Sequence, residues 1–349
     1  MRIGIVTQPL YDNYGGIIQN WALQRVLIRE GYDPITIDYQ PRQSWIRHVL
    51  SKMRYVLLNG IGKKSRKPIR NRKRSVEFER FINQNIKKTA LCNSYNKRII
   101  SDYGIDKVCI GSDQVWRPSY NGYTLYDMYG RFSYPIPTFS YAASFGGDTW
   151  EYNMFQTICC QRLVKKLKGV SVREKSAIKI CRDHLQTEAS FVLDPTLLID
   201  KEEYNSLIQS VPVSSEDYVL AYILDNNDEK QFILSEISNN LNLEVHRISI
   251  YDKRNLSIEE WLREFRDAKY VVTDSFHGLV FSIIYKKNFK LLSNKHRGVS
   301  RFKSLLETCG LECKLQENID NSQIDWNIVD ENINIYREKS YGFLRLMLK

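Results

Sequence analysis

The chain has 349 residues, 43% of them hydrophobic and 12% aromatic, with a formal net charge of +11. That length suits two domains of ordinary size, and that composition describes a globular chain and not a disordered one. No apolar run is long enough to span a bilayer, and seven cysteines without a C-x-x-C pair point to free thiols in a reducing compartment rather than to disulfides or zinc. The first residues read as a strand, with no cleavage site of the signal-peptide kind, so a cytoplasmic protein is expected.

Strand and helix alternate from the start. Residues 3–7 predict a strand, 17–29 a helix stopped by Gly31, and 34–39 a second strand. The turn Asp12-Asn13-Tyr14-Gly15-Gly16 leads into the helix and Gln19. Two glycines allow close backbone approach to a ligand, and the helix dipole beyond favours an anion. Asn13, Gly15 and Gly16 are therefore donor-binding candidates, and Tyr14 an acceptor-binding one. A tight turn without a ligand is the equal alternative. The turn is neither G-x-G-x-x-G nor a P-loop, which disfavours a nicotinamide dehydrogenase.

Charge then concentrates. Residues 42–74 hold five lysines, seven arginines and no acid, so the segment carries +12 and the rest of the chain about −1. A local anionic partner is implied. Aromatic residues are not interleaved with the basic ones of 63–74 and no nucleic-acid motif accompanies them, so nucleic acid is not expected. Trp45, Ile46, Val49, Leu50, Met53, Val56 and Leu57 share one helical face, with Arg47, Lys52 and Arg54 elsewhere. This is the pattern of a helix lying on an anionic membrane surface. Packing of that face on the protein's own core is the alternative.

A helix at 76–85 precedes a strand at 107–110 that runs into Gly111-Ser112-Asp113-Gln114-Val115-Trp116. Asp113 is placed to accept a proton from an attacking hydroxyl. Gln114 can hydrogen-bond sugar hydroxyls, and Trp116 can face the apolar side of a pyranose. An N-cap aspartate beside a core tryptophan is the alternative. The strand 138–142 enters a small-residue loop at 140–146, followed by a helix at 154–168 and a strand at 169–172. Arg173 opens the next helix, where a guanidinium can grip a carboxylate or phosphate with two hydrogen bonds. A cation in a first helical turn opposes the dipole, which favours that role over a surface salt bridge to Glu174 or Asp183. A strand at 191–193 then leads into Asp194-Pro195-Thr196.

The polar stretch 200–217, with Pro212, reads as a linker. Strands at 218–224, 244–248, 270–272 and 289–292 follow, with helices at 230–239, 258–265, 302–309 and 336–347. Ser257 and Glu260 form a capping box. After the third of these strands comes Thr273-Asp274-Ser275-Phe276-His277-Gly278, a strand-to-helix turn at the carboxyl edge of a parallel sheet. His277 is the candidate general acid, Asp274 the residue to orient it, and Ser275 and Gly278 the helix start that holds an anion. A histidine that only packs the turn is the alternative. The expected architecture is α/β, with two Rossmann-like domains facing a cleft: 1–199, carrying the basic insertion 42–74, and 200–349.

In this order, Asn13 to Gln19, Gly111 to Trp116, Ser171-Val172-Arg173-Glu174, Asp194-Pro195-Thr196 and Thr273 to Gly278 resemble the polysaccharide pyruvyl transferase family. The resemblance spans residues 1 to about 290; each motif is weak alone, and the ordered set is fairly specific. It implies a GT-B-like fold and transfer of the enolpyruvyl carbons of phosphoenolpyruvate to two hydroxyls of a saccharide or lipid-linked saccharide, in cell-surface polysaccharide biosynthesis. A cyclic ketal forms and phosphate leaves, with no cofactor and no metal. It implies that His277 is the catalytic histidine and that Arg173 binds the donor. Where relatives carry arginine and leucine, this chain has Ser275 and Phe276, so one anionic group of the donor lacks its usual partner. Lys295, Arg297 and Arg301 are the residues able to replace it. Two other functions remain open: a GT-B-like glycosyltransferase using a nucleotide sugar, and a non-catalytic membrane-associated partner in glycan assembly. The sequence leaves the oligomeric state open.

Overall fold

Two parallel sheets organise the chain. The computed structural model describes residues 1–41, 45–60, 74–248, 256–293, 299–315 and 323–349. Strands β1 (Arg2–Val6), β2 (Asp33–Thr36), β3 (Lys107–Ile110) and β4 (Thr138–Ser140) form the first sheet in the order β2-β1-β3-β4. β5 (Ser171–Val172) and β6 (Ser190–Phe191) extend it through a bridge between Ala143 and Val172. The second sheet is built of β7 (Tyr218–Tyr222), β8 (Glu244–Ile248), β9 (Tyr270–Thr273) and β10 (Asn288–Leu291), in the order β10-β9-β7-β8. The central strands are covered on both faces. Ile3, Ile5, Val108, Cys109, Ile110, Val271 and Val272 are therefore all apolar and fully buried, rather than alternating with polar residues.

The helices in chain order are α1 (Tyr14–Arg29), α2 (Trp45–Gly60), α3 (Val76–Asn85), α4 (Lys97–Asp102), α5 (Pro118–Asn121), α6 (Met154–Val164) and α7 (Lys175–Ile180). In the second half come α8 (Lys201–Leu207), α9 (Asp228–Leu241), α10 (Ile258–Asp267), α11 (Phe276–Ile284), α12 (Ser300–Cys309) and α13 (Trp326–Leu348). Several differ from expectation: α4 and α5 lie outside the predicted elements, α6 ends at Val164 and not at 168, and three more differ for identifiable reasons. α1 starts at Tyr14 because Asn13 caps it, accepting from Gly16 N at 3.2 Å, so Gly15 and Gly16 belong to the first helical turn. The stretch read as a linker opens with α8, held by the fully buried Tyr204. α13 begins ahead of the predicted helix because Val329 and Ile333 extend its buried stripe through Ser340 to Leu344 and Met347. The capping box of Ser257 and Glu260 is present at the start of α10.

One apolar core joins the two sheets. Tyr14 and Phe78 from the first half meet Trp261 and Phe281 from the second. The Tyr14 ring stacks on Trp261 at 5.3 Å, and its hydroxyl donates to the Leu256 carbonyl at 2.9 Å. α13 returns to the first half, where the Leu193 amide donates to Ser340 Oγ at 2.9 Å and Lys107 Nζ donates to the Leu348 carbonyl at 2.6 Å.

The basic segment divides. Residues 61–73 lie outside the described residues, as do the side chains of Trp45, Ile46, Arg47 and Leu50. On the described part of α2, Met53, Val56 and Leu57 are 58%, 66% and 69% exposed, so these three do not pack on the core. Arg74 does not belong with the rest. Its side chain is only 4% exposed, pairs with the buried Asp38 and donates to the Leu10 carbonyl. Removing one partner of a buried ion pair costs about 3–5 kcal/mol. Arg74→Gln is thus expected to lower the melting temperature sharply, whereas Lys52→Gln on exposed α2 leaves it within about 0.5 kcal/mol of wild type. Thermal denaturation of both variants is the check, and equal melting temperatures would show that the Arg74–Asp38 pair carries no stability.

Candidate active site

Four strand ends from both sheets converge. β3 runs into Gly111-Ser112-Asp113, β5 into Arg173, β6 into Asp194, and β9 into the turn that starts α11 with His277 in its first turn. Arg173 sits at the centre. Its Nη1 donates to Asp194 Oδ2 at 2.7 Å and its Nη2 to Asp113 Oδ1 at 2.9 Å. Asp194 also accepts from Ser112 Oγ at 3.1 Å, Thr196 N at 3.1 Å and Thr196 Oγ1 at 2.7 Å. His277 Nε2 lies 3.9 Å from Asp194 Oδ1. The loop after β3 needs unusual backbone to do this. Gly111 adopts φ +128°, where an added methyl would overlap the Tyr141 carbonyl, and Asp113 adopts φ +80° in the left-handed region.

Burial sets the charge states. It disfavours a charged Arg173, but Asp113 and Asp194 outweigh it and hold the guanidinium above its ordinary pKa. Burial likewise pushes the Asp194 carboxyl up, yet Arg173 and then His277 outweigh it and leave the group below its usual range. For His277 burial wins: with Arg173 adding to it and Asp194 opposing, the imidazole falls to about 4 and is neutral near pH 7. Glu174, buried beside Arg173, is pushed up by burial while it accepts from the Ser144 hydroxyl. Arg173 Nε, His277 Nε2 and Glu174 Oε2 are buried without hydrogen-bond partners among the described residues. Orphaned polar atoms gathered at one place are what an incoming polar ligand satisfies.

α1 reaches across to this centre. A methyl added at Gly15 would overlap the imidazole of His277, so this helix start, from the first half, seats the histidine of the second. Gly15→Ala is expected to push the ring from its position, and a misplacement of about 1 Å costs on the order of 100-fold in rate. The measurement is steady-state turnover with a circular dichroism spectrum as the folding control. A folded variant with wild-type turnover would mean that the ring position is not critical.

Several predicted site residues do other work. Asp274 does not orient His277. Its carboxylate accepts from the Leu224 and Asp225 amides at 2.6 and 3.1 Å and from Lys230 Nζ at 2.7 Å, tying the loop after β7 to β9. The carboxylate facing His277 is Asp194. Trp116 is not a sugar platform: fully buried, it donates from Nε1 to the Met128 carbonyl at 2.8 Å and stacks on Tyr129 at 4.9 Å. Tyr14 is part of the packing between halves, not an acceptor contact. Gln114 Oε1 accepts from Arg117 at 3.2 Å. Asn13 caps α1, and Ser275 caps α11 by accepting from Gly278 N at 3.4 Å. Lys295 and Arg297 lie outside the described residues, whereas Arg301 is buried at the start of α12. Asp194 is the residue that the sequence left without a role. The signal was present: an acid directly after a short apolar strand, in the same strand-end position as Asp113 and Arg173.

The sequence profile described as polysaccharide pyruvyl transferase matches residues 13–296. No curated protein matches the chain. Among solved structures, UDP-N-acetylglucosamine 2-epimerase from Rickettsia bellii is similar over 100% of this chain and 96% of its own, with a TM-score of 0.50 and 9% identity. UDP-GlcNAc 2-epimerase from Neisseria meningitidis, bound to UDP-GlcNAc, covers 96% of this chain and 99% of its own, with a TM-score of 0.45 and 10% identity. A glycosyltransferase from Rickettsia africae covers 100% and 98%, with a TM-score of 0.46 and 12% identity. The fold is GT-B-like.

Proposed function

The chain belongs to the polysaccharide pyruvyl transferase family, and from that membership we propose that it moves a pyruvyl group from phosphoenolpyruvate to two hydroxyls of a saccharide, closing a ketal in cell-surface polysaccharide biosynthesis. The observation that carries this reading is the meeting of Asp113, Arg173, Asp194 and His277 at strand ends from both sheets. The anionic donor, bound beside His277, favours the imidazolium over the neutral ring of the free protein, and the imidazolium delivers its proton to the methylene carbon of the enol. A saccharide hydroxyl oxygen bonds to the neighbouring cationic carbon and gives up its proton, with Asp113 the acceptor at hand. Phosphate then leaves with the electrons of its C–O bond, and a second hydroxyl takes its place and loses its proton. Nothing is oxidised or reduced, and phosphoenolpyruvate is a substrate rather than a cofactor. Arg173 holds the donor through Nε, the edge its two carboxylates leave unused.

The test is thermal protection and turnover. Phosphoenolpyruvate is expected to raise the melting temperature, and a saccharide diol to release one phosphate for each ketal formed. Protection by a nucleoside diphosphate instead would point to a nucleotide-sugar glycosyltransferase. Vesicle binding without turnover would point to a non-catalytic partner.

The acceptor is lipid-linked in this reading, and residues 42–73 dock the enzyme on an anionic membrane. Exposed Met53, Val56 and Leu57 beside exposed Lys52 and Arg54 support it. Each basic residue near an anionic surface contributes about 1 kcal/mol, screened within about 8–10 Å at physiological salt. Replacing Lys63, Lys64, Arg66, Lys67, Arg70, Arg72 and Lys73 with glutamine, and leaving structural Arg74 in place, is expected to abolish co-sedimentation with anionic vesicles without loss of activity on a soluble acceptor. Equal partitioning of the wild type to neutral and anionic vesicles would refute docking.

A further inference from the structure

α6 is apolar on both of its faces. The inner face carries Cys160 and Val164, which are buried in the core of the first half. The outer face carries Met154, Phe155 and Ile158, which are 81%, 70% and 42% exposed. With 3.6 residues per turn, these three fall within a sector of about 100° at the start of the helix. Arg162 and Lys165 continue that sector over the next two turns, with Lys166 beside them, and all three are exposed. From residue 152 to residue 173 there is no aspartate or glutamate. Solvation accounts for the charges. It does not account for three large apolar side chains gathered in the open, which mark a surface that something covers.

The start of α6 lies at the edge of the sheet where the catalytic loops are. It follows the carboxyl end of β4, as Asp113 follows that of β3. The segment before it is tied to the loop after Asp113. Glu151 pairs with Arg117 at 3.3 Å and accepts from Ser119 Oγ at 3.3 Å, and the Tyr152 hydroxyl donates to the Trp116 carbonyl at 2.5 Å. Tyr120 and Tyr123, exposed on that same loop, add aromatic surface to this edge. The apolar tip thus stands toward the mouth of the site, and the basic residues stand behind it. That order matches the depth of a lipid leaflet, with acyl chains within and phosphate headgroups outside them.

We propose that the outer face of α6 is a membrane contact: Met154, Phe155 and Ile158 enter the acyl boundary of an anionic leaflet, while Arg162, Lys165 and Lys166 meet its phosphate headgroups. The contact itself does not depend on pyruvyl transfer; that the leaflet presents the acceptor to Asp113 rests on the reading above. α6 and the segment 42–73 then act together. One weak membrane signal gives reversible binding, and stable docking takes two, so the loss of either releases the protein.

The test is co-sedimentation of the full chain with vesicles of phosphatidylcholine, with and without phosphatidylglycerol. Met154→Ser combined with Phe155→Ser is expected to weaken binding to the anionic vesicles about 10- to 100-fold and to leave the melting temperature unchanged, because both side chains are exposed. Arg162→Gln combined with Lys165→Gln is expected to weaken it about fivefold for each residue and to reduce its dependence on salt. Phe232→Ser, which removes an exposed ring from α9 in the other half, is the control and should bind as the wild type does. Wild-type binding by the Met154 and Phe155 variant overturns the contact, and so does an equal loss in the control. A wild-type dimer that Phe155→Ser turns into a monomer overturns it as well, since a second copy would then cover the face. Failure of the wild type to bind anionic vesicles removes both α6 and the segment 42–73. If the α6 variant is released while the glutamine variant of 63–73 still binds, the contact stands and docking by the basic segment falls. The opposite pattern removes α6 alone. None of these readouts requires turnover, so the contact and the pyruvyl-transfer reading fail separately.

Discussion

His277→Gln is expected to lower transfer by about 10²–10⁴-fold while the protein stays folded. Glutamine is uncharged, as the buried imidazole is near pH 7, and is flexible enough to fit against Gly15. What it lacks is a ring nitrogen that can take up a proton beside the bound anionic donor and pass it to carbon. A pH signature accompanies the loss. In the folded protein His277 titrates at about 4, below its ordinary value of 6.5. Between those values the unfolded chain binds a proton that the folded chain does not, so stability falls as the pH drops through that window and carries no such cost above it. His277→Gln is expected to flatten the fall in melting temperature between pH 6.5 and 4. Near-full turnover would remove His277 from the reaction, and an unchanged slope would remove its burial as the cause.

Asp194→Asn is expected to do harm in two ways. The amide oxygen can still accept from Thr196, and Ser112 Oγ can turn to accept from the amide nitrogen, but that nitrogen then faces Arg173 Nη1, donor against donor. Breaking a buried pair on one side costs about 3–5 kcal/mol, so the melting temperature should fall by many degrees. Turnover should fall as well, because Arg173 is positioned by Asp194 and His277 loses the carboxylate facing it. A double-mutant cycle with Arg173→Gln isolates the effect. The two changes share one interaction and are expected to be less than additive. Strict additivity would show that the pair does not act as a unit.

The sequence revealed the strand ends better than the side chains they direct. The strands Lys107–Ile110 and Glu244–Ile248 and the helix Val76–Asn85 have the bounds their patterning predicts, because apolar runs and turn residues are local signals. Arg173 and His277 stood out for the same reason, as polar groups placed directly after buried strands. Trp116 and Tyr14 did not resolve, since an aromatic ring beside polar residues serves a ligand or a core equally well in sequence. Only packing against Tyr129 and Trp261 distinguishes the two. The choice between Asp274 and Asp194 was not legible either. Asp274 is a near neighbour of His277 in sequence, but Asp194 faces it through the docking of one half on the other. Arg301 reaches the same place by the packing of α12 on α7, which no local pattern encodes.

The return of α13 to the first sheet also bears on the order in which the chain is made. Lys107 and Lys168 donate to the carbonyls of Leu348 and Met347, and the Leu193 amide donates to the Ser340 hydroxyl. A nascent chain that has released only its first sheet from the ribosome leaves the Lys107 ammonium and the Leu193 amide to water, beside an uncovered apolar flank. That half must wait, loosely formed, until the final helix emerges. A gene cut between the two sheets should therefore give fragments that are insoluble apart and recover the fold when they are produced together.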